Sequence, residues 1–494
     1  MDSTGQPITL AVPEKLLRKL TRDAWFAAAG RARRSRAHTG WFDTDRFDLH
    51  RLGIRLSVIE AGGNSIQRVA LADGTEQLSA FRGGFNFWSI DPYKARRRLD
   101  KALRHGLSPV FETHCVVRTW ELLPPECGPV RAKLIQGFQI QGGNQHPFCE
   151  LHLAPSDPGG CGHFLVARRL IAELGLSEEA VTVEERGFGL AQGRQNNPVT
   201  AGPSPVLPGQ SCAQALCAIA RDCTWQFRLN EAGANGSNDP EYVHQMRVAL
   251  RRLRSGLRAF APLLPAEIQE RFAPHLRAIG AALGTARDWD VTVKELILPL
   301  VRAHPGDVRL ARLVEEATVL RDAARARCTA ALQEGAYHRA FADLLAYLHC
   351  EWQGEFEDPP PRLEEFAVQR LEWLHRKVAK AAKAASAEDV PTLHRLRIAI
   401  KRLRYSLEFF APLFPKADVR RYLNRMKSLQ EDLGRLNDLA NAYPRLAHCA
   451  DENPSMAEGV AFAHGWYAQQ LGTLLRRIPG EIGPLAKQRR FWLK

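Results

Sequence analysis

Not one of the ten cysteines stands in a Cys-x-x-Cys pair; they fall at positions 115, 127, 149, 161, 212, 217, 223, 328, 350 and 449. That scatter argues against a zinc ribbon and against a disulfide framework, so reduced thiols are expected. The chain also lacks an apolar run of about 18 residues, the length a spanning helix requires. Its opening, MDSTGQPITLAVPEKLLRKL, has no apolar core of the kind that marks a secretion signal. These absences lead to the expectation of a soluble, cytoplasmic protein with no membrane partner. Acid is in short supply too: 54 Asp and Glu face 68 Lys and Arg, a net charge of +14 over 494 residues. Such an excess suits a polyanion, whether nucleic acid, an anionic membrane or a phosphate polymer. The shortage is sharpest between residues 242 and 266, where there is no acidic side chain at all.

What is present falls into two regimes. Up to about residue 195, short apolar runs alternate with turn residues, as in GIRLSVIEAGGNSIQRVALADG, PVFETHCVVRTWELL and PVRAKLIQGFQIQGGNQHPFCELHLAP. A period of two bounded by Gly, Asn, Asp and Pro predicts antiparallel strands. Helical segments are expected to interrupt them at about 13–29, 91–104 and 161–175. The stretch QNNPVTAGPSPVLPG, dense in Pro, Gly, Asn and Ser, has the composition of a linker. Beyond it the periodicity is helical, with breakers such as GANGSNDPE, PGDV and DENPS between long segments. The expected fold class is α+β: a first domain at 1–195, a linker at 196–209, and an all-α domain at 210–494.

The all-α part carries an internal repeat. HQMRVALRRLRSGLRAFAPLLP begins at His244, and HRLRIAIKRLRYSLEFFAPLFP begins at His394, at an offset of 150 residues. The register continues into Leu283 and Leu433, Gly284 and Gly434, and Asp288 and Asp438. A constant offset without a gap marks two copies of one supersecondary unit. Two halves, about 210–355 and 362–494, are each the size of a four-helix bundle.

Each residue of a helix advances about 100°, so His244, Arg247, Arg251 and Arg254 fall within an arc of about 80°. Arg258 extends that stripe, while its counterpart is Glu408. Met246, Leu250, Leu253, Leu257 and Phe260 gather about a third of a turn away, as a face for burial. The second copy sets His394, Arg397, Lys401 and Arg404 against Leu396, Ile400, Leu403, Leu407 and Phe410. Arg252 and Arg402 accompany the two ladders. A basic stripe on a helix is commonly a solvated face held by i,i+4 ion pairs, but this one lacks the acids to make them. Like charges stacked at i,i+4 cost a few tenths of a kcal/mol, and both copies bear that cost. Evenly spaced cations match a polymer of evenly spaced phosphates, with arginine gripping oxygens in pairs and lysine acting as a point charge. A third strip, Arg376, Lys377, Lys380 and Lys383, stands on the helix before the second ladder. The paired histidines are candidates for contacting phosphate or orienting an arginine, and no ligand spacing suggests that they hold metal. Asp288 and Asp438 are read first as helix caps and second as groups that position the ladder arginines.

The paired HQMRVALRRLRS and HRLRIAIKRLRY segments resemble the signature helices of the CHAD family, the conserved histidine α-helical domain. The resemblance runs over about 206–494, including the closing RRFWLK. It implies two four-helix bundles related by pseudo-twofold symmetry and a basic groove that binds long-chain inorganic polyphosphate. The family's histidine and basic ladder fall on His244, Arg247, Arg251, Arg254, His394, Arg397, Lys401 and Arg404.

Residues 1–195 are similar to a CYTH, or triphosphate tunnel, domain, on AVPEKLLRKL, GWFDTDRFDLHRLGIRLSV and VEERGFGL. That similarity implies an antiparallel, barrel-like tunnel that in active members processes triphosphates with Mg²⁺ or Mn²⁺. The family's opening Glu-x-Glu-x-Lys is replaced here by Gly5, Pro7 and Thr9, and the lysine of the closing segment by Val183. Hard cations need oxygen ligands that these side chains supply poorly or not at all. The remaining charged candidates are Arg55, Arg118, Glu150 and Glu185. A degenerate tunnel is therefore expected, without catalytic residues, metal or cofactor. The expected function is non-enzymatic binding of inorganic polyphosphate, with targeting to polyphosphate granules; the alternative is a metal-dependent tripolyphosphatase. Nucleic acid is the weaker partner, because the ladders lack interleaved aromatics for stacking bases.

Overall fold

The computed structural model describes residues 7–71, 75–87, 106–125, 127–193, 197–352, 361–486 and 489–493. The expected helix at 91–104 and the position of Gly5 lie outside them. The chain forms two compact units: Met1–Asn197 with His349–Glu351, and Pro198–Leu348 with Trp352–Lys494.

The first unit is built on one antiparallel sheet, with nine strands among the described residues. In chain order these are β1 (Ile8–Ala11), β2 (Arg33–Asp43), β3 (Arg55–Ala61), β4 (Asn64–Ala70), β5 (Glu76–Ala80), β6 (Ser108–Leu122), β7 (Val130–Gln141), β8 (Asn144–Pro155) and β9 (Ser177–Glu178). Their spatial order is β5-β4-β3-β2-β6-β7-β8-β1-β9. The hairpins β3–β4 and β7–β8 turn on Gly62-Gly63 and Gly142-Gly143, all four at positive φ. Two successive left-handed residues match the twist of the flanking strands, and only glycine adopts them without cost.

Alternation along the strands sorts the side chains onto two faces. Leu10, Leu151 and Leu134 are register partners and fully buried on one face. The apolar stripe of α1 (Gly162–Leu174) supplies the buried Phe164, Leu170 and Ile171. On the opposite face the register pair Trp41 and Phe111 packs with Phe188 of α2 (Val183–Ala191). The VEERGFGL segment starts as a helix because the Thr182 hydroxyl accepts the Glu185 amide at its first turn.

The second unit is helical: α3 (Cys212–Leu229), α4 (Pro240–Ala259), α5 (Ala266–Val291), α6 (Val308–Gln333), α7 (Ala336–Ala346), α8 (Leu363–Ala384), α9 (Val390–Phe410), α10 (Lys416–Glu452) and α11 (Ala457–Ala486). Helix α4 opens as its sequence directs, with Asp239 accepting the Glu241 amide and Pro240 in the first turn. Both ladder helices bury their apolar faces: Met246, Leu250 and Leu253 on α4, and Leu396, Ile400 and Leu403 on α9. The halves meet through equivalent residues, Phe260 and Phe410, whose rings lie 5.6 Å apart. Contact between equivalent residues is what a pseudo-twofold axis produces. The Pro- and Gly-rich stretch before α3 is fastened to this unit. Val199 exchanges two hydrogen bonds with the Asn230 amide, Ser204 donates to the Phe409 carbonyl, and Val206 is fully buried.

A candidate polyanion site between the ladder helices

The two ladders converge. His244, Arg247, Arg251 and Arg254 of α4 and His394, Arg397 and Lys401 of α9 line one cavity of about 560 Å³. Helices α5 and α10, which follow the ladders in each half, complete the wall with Arg287, Asp288, Gly434, Asn437, Asp438 and Arg445. The convergence follows from the sequence: each ladder helix turns its apolar stripe to a core, and the crossing about Phe260 and Phe410 turns the two basic stripes towards each other.

Some of this charge is already answered. Arg247 donates to the Gly284 carbonyl at 2.9 Å and to Asp288 at 3.1 Å, and Arg445 reaches the other Asp288 oxygen at 2.7 Å. His394 Nδ1 lies 3.1 Å from the Asn437 side-chain oxygen. In contrast, Arg251, Arg254, Arg397 and Lys401 form no salt bridge among the described residues, and Asp438 acts on Arg397 and Lys401 only from across the cavity. The Nε groups of Arg251 and Arg397 are buried without a hydrogen-bond acceptor. Arg251 lies over the Tyr405 ring, 5.4 Å from its centroid, which shields the cation without neutralising it.

Desolvation and like charge show in the titration. Burial, helped by Arg397 and Arg251, pushes the Lys401 ammonium down to about 7. Burial likewise lowers Arg397 and Arg254. His244 is lowered by burial and by the nearby Arg287. A pocket that depresses the basicity of its own cations favours whatever anion restores their charge.

Not every expected residue reaches this cavity. Arg252 turns into the core, only 7% exposed, paired with Asp222 at 3.0 Å and donating to Gln226. At i+1 from Arg251 it sits about 100° round the helix, which takes it off the stripe. Arg404 is bridged to Glu408 at 3.1 Å, so the second ladder ends early. Arg258 and Arg402 do not line the cavity. The third strip also lies elsewhere: Arg376 pairs with Glu372 of its own helix, Lys377 lies over Trp373, and Lys380 and Lys383 are exposed. Asp288 and Asp438 stand inside helices and not at their starts, so capping gives way to positioning, with Asp288 holding Arg247 and Arg445. Sequence reasoning missed Arg287 and Arg445. Each stands within one or two helical turns of an in-register aspartate, which is the signal that marks them.

In the first unit the four charged candidates do not form one group, though Arg55 and Glu185 pair with each other. Arg55 reaches Glu185 at 2.5 Å and Glu184 at 3.1 Å. His50 and Arg55 hold the Glu185 carboxyl at about 2. Glu150, 3% exposed, is engaged by Arg186 and by His152. Burial pushes it up, yet these two partners outweigh burial and keep it below the usual carboxylate range. Arg118 lies on the opposite face of the sheet, across from Arg34. The Mg²⁺ or Mn²⁺ of a tunnel enzyme does not fit these residues. Pro7 and Thr9 offer no carboxylate, and the glutamates named here are held by guanidinium and imidazole groups.

An internally duplicated helical protein with a cationic cleft at its pseudo-twofold axis is the class these observations define. The CHAD domain description matches residues 218–447. The crystal structure of the CHAD domain from the plant Ricinus communis is similar at 30% identity and a TM-score of 0.53, covering 60% of this chain and 98% of that one. The chain belongs to the CHAD family. PptA from Streptomyces chartreusis is similar at 17% identity and a TM-score of 0.44, covering 56% of this chain and 99% of its own. HpAC1 from Hippeastrum, described as having a dominant triphosphatase activity, matches at 14% identity and a TM-score of 0.27, over 38% of this chain and 96% of its own. No curated protein matches.

Proposed function

We propose that the protein binds inorganic polyphosphate without hydrolysing it, in the cavity between α4 and α9, and that this binding carries it to polyphosphate granules. One observation bears most of the weight: cations from both repeats face one another across a cavity, and four of them form no salt bridge among the described residues. Bringing Arg251, Arg254, Arg397 and Lys401 together costs free energy that a multivalent anion recovers, because each guanidinium then makes charge-assisted bonds. A linear phosphate polymer presents such oxygens at every unit, whereas the cavity offers few aromatic faces on which bases would stack. Membership of the CHAD family agrees with this reading. The ion-paired glutamates of the first unit favour a non-hydrolytic role there.

The test is retention of the full chain on immobilised polyphosphate, with free polyphosphate, DNA or RNA of equal charge as competitor. Replacing Arg251 and Arg397 together by alanine should weaken binding by about 100-fold, as expected for two charge-assisted contacts. Equal retention of the double variant, or better competition by nucleic acid, would overturn the assignment.

A further inference from the structure

A second cluster lies in the first unit, on the sheet face away from Glu150. His38 of β2 and His114 of β6 are direct cross-strand partners, their rings stacked with centroids 4.3 Å apart. Glu112, two residues before His114 and therefore on the same face, reaches both rings. Its Oε2 is 3.0 Å from His38 Nε2 and its Oε1 is 3.3 Å from His114 Nε2. On the other side of His38, Glu60 of β3 places Oε2 3.0 Å from Nδ1. Ligand atoms of His38, Glu112 and His114 lie within 4.8 Å of one another.

We propose that His38 Nε2, His114 Nε2 and the Glu112 carboxylate form a binding site for a divalent transition metal of the Zn²⁺ type, with Glu60 as the residue that orients His38. Two imidazoles and one carboxylate are a donor set such ions accept, at metal–ligand distances of about 2.0–2.2 Å. Small rotamer changes bring the three atoms to that radius. With metal bound, Nδ1–H of His38 donates to Glu60, which fixes the tautomer that leaves Nε2 free to ligate. Three protein ligands leave a further position open, and beside it lies a cavity of about 1190 Å³ whose wall includes Arg34, Arg36 and Arg118.

The experiment uses the full chain, stripped with chelator and titrated with Zn²⁺ and separately with Co²⁺. Cys127, Cys161 and Cys350 also bring their thiols within 4.8 Å of one another, so the readout must separate nitrogen and oxygen ligands from sulfur. Co²⁺ should give a visible tetrahedral or five-coordinate spectrum with no thiolate charge-transfer band, at one equivalent that survives a C161S change. His114 is half exposed, so H114A should keep the fold, read by circular dichroism, and lose that equivalent. E60Q should retain the stoichiometry and bind about 10- to 100-fold more weakly, the effect of losing an orienting partner. Equal binding by wild type and H114A, or a cobalt spectrum carried by thiolate alone, would overturn the site.

Discussion

Lys401 is the residue at which the cavity's electrostatics become measurable. Its ammonium is depressed to about 7 by burial and by Arg397 and Arg251, against an ordinary value near 10.4. A bound polyanion favours the charged form, so binding above pH 7 must draw a proton from solution. Affinity for polyphosphate is then full below pH 7 and falls as pH rises from 7 towards 9, by up to about tenfold per unit. Calorimetry in two buffers of different ionisation enthalpy should show proton uptake at pH 8, and Lys401→Arg should flatten the profile. An identical pH dependence in that variant would remove Lys401 from the account. At this scale a rule of angle is enough to place Arg251 and Arg397 on the stripe that lines the cavity, and it says less about where a neighbour goes. Arg252 differs from Arg251 by one position, yet it pairs with Asp222 in the core, a partner 30 residues away that no local pattern reveals.

Among the elements, α5 and α10 shape the site as much as the ladders do. Gly434 of α10 lines the cavity, and a side chain added there would meet open space. Gly434→Leu should therefore project into the cleft and weaken polyphosphate binding at least tenfold. The same change replaces a poor helix former with a good one, worth roughly 0.5–1 kcal/mol in favour of the fold. A higher or unchanged melting temperature with weakened binding is the expected pair of results. Lost stability, or full binding, would show that the residue does not face the ligand. The ladders were legible because a 3.6-residue period and a 150-residue offset are both local arithmetic. Arg287 and Arg445 were harder to see, since their counterparts are Asn437 and Glu295 and only their closeness to the in-register Asp288 and Asp438 marks them. The strands of the first unit were legible as well: β6, β7 and β8 fall within the alternating stretches, and the glycine pairs mark the turns.

For the whole molecule, the question is whether the sheet unit adds chemistry to the helical one. With Glu150 held by Arg186 and His152, and Glu185 by Arg55 and His50, neither is free to coordinate Mg²⁺ or Mn²⁺. Incubation of the full chain with tripolyphosphate and either ion should release phosphate no faster than the no-protein control. Turnover that disappears in Glu150→Gln would instead establish a hydrolase. The class of fold was readable from one change of period along the chain, from two to 3.6 residues. The pairing of the sheet unit's acids was not, because Arg55 and Glu185 stand 130 positions apart and meet only once the helix carrying Glu185 packs on the sheet.

The contact between Asp288 and Arg445 reaches beyond the site it supports. Their counterparts are Asp438 and Glu295, so the link exists in one direction only. Two copies of the first half set about the same axis would bring Glu295 towards Asp288 and repel. Two copies of the second would bring Arg445 towards Asp438 and attract. Severed from each other, the halves would not be equivalent: one is able to pair with its own kind, and the other needs a stranger.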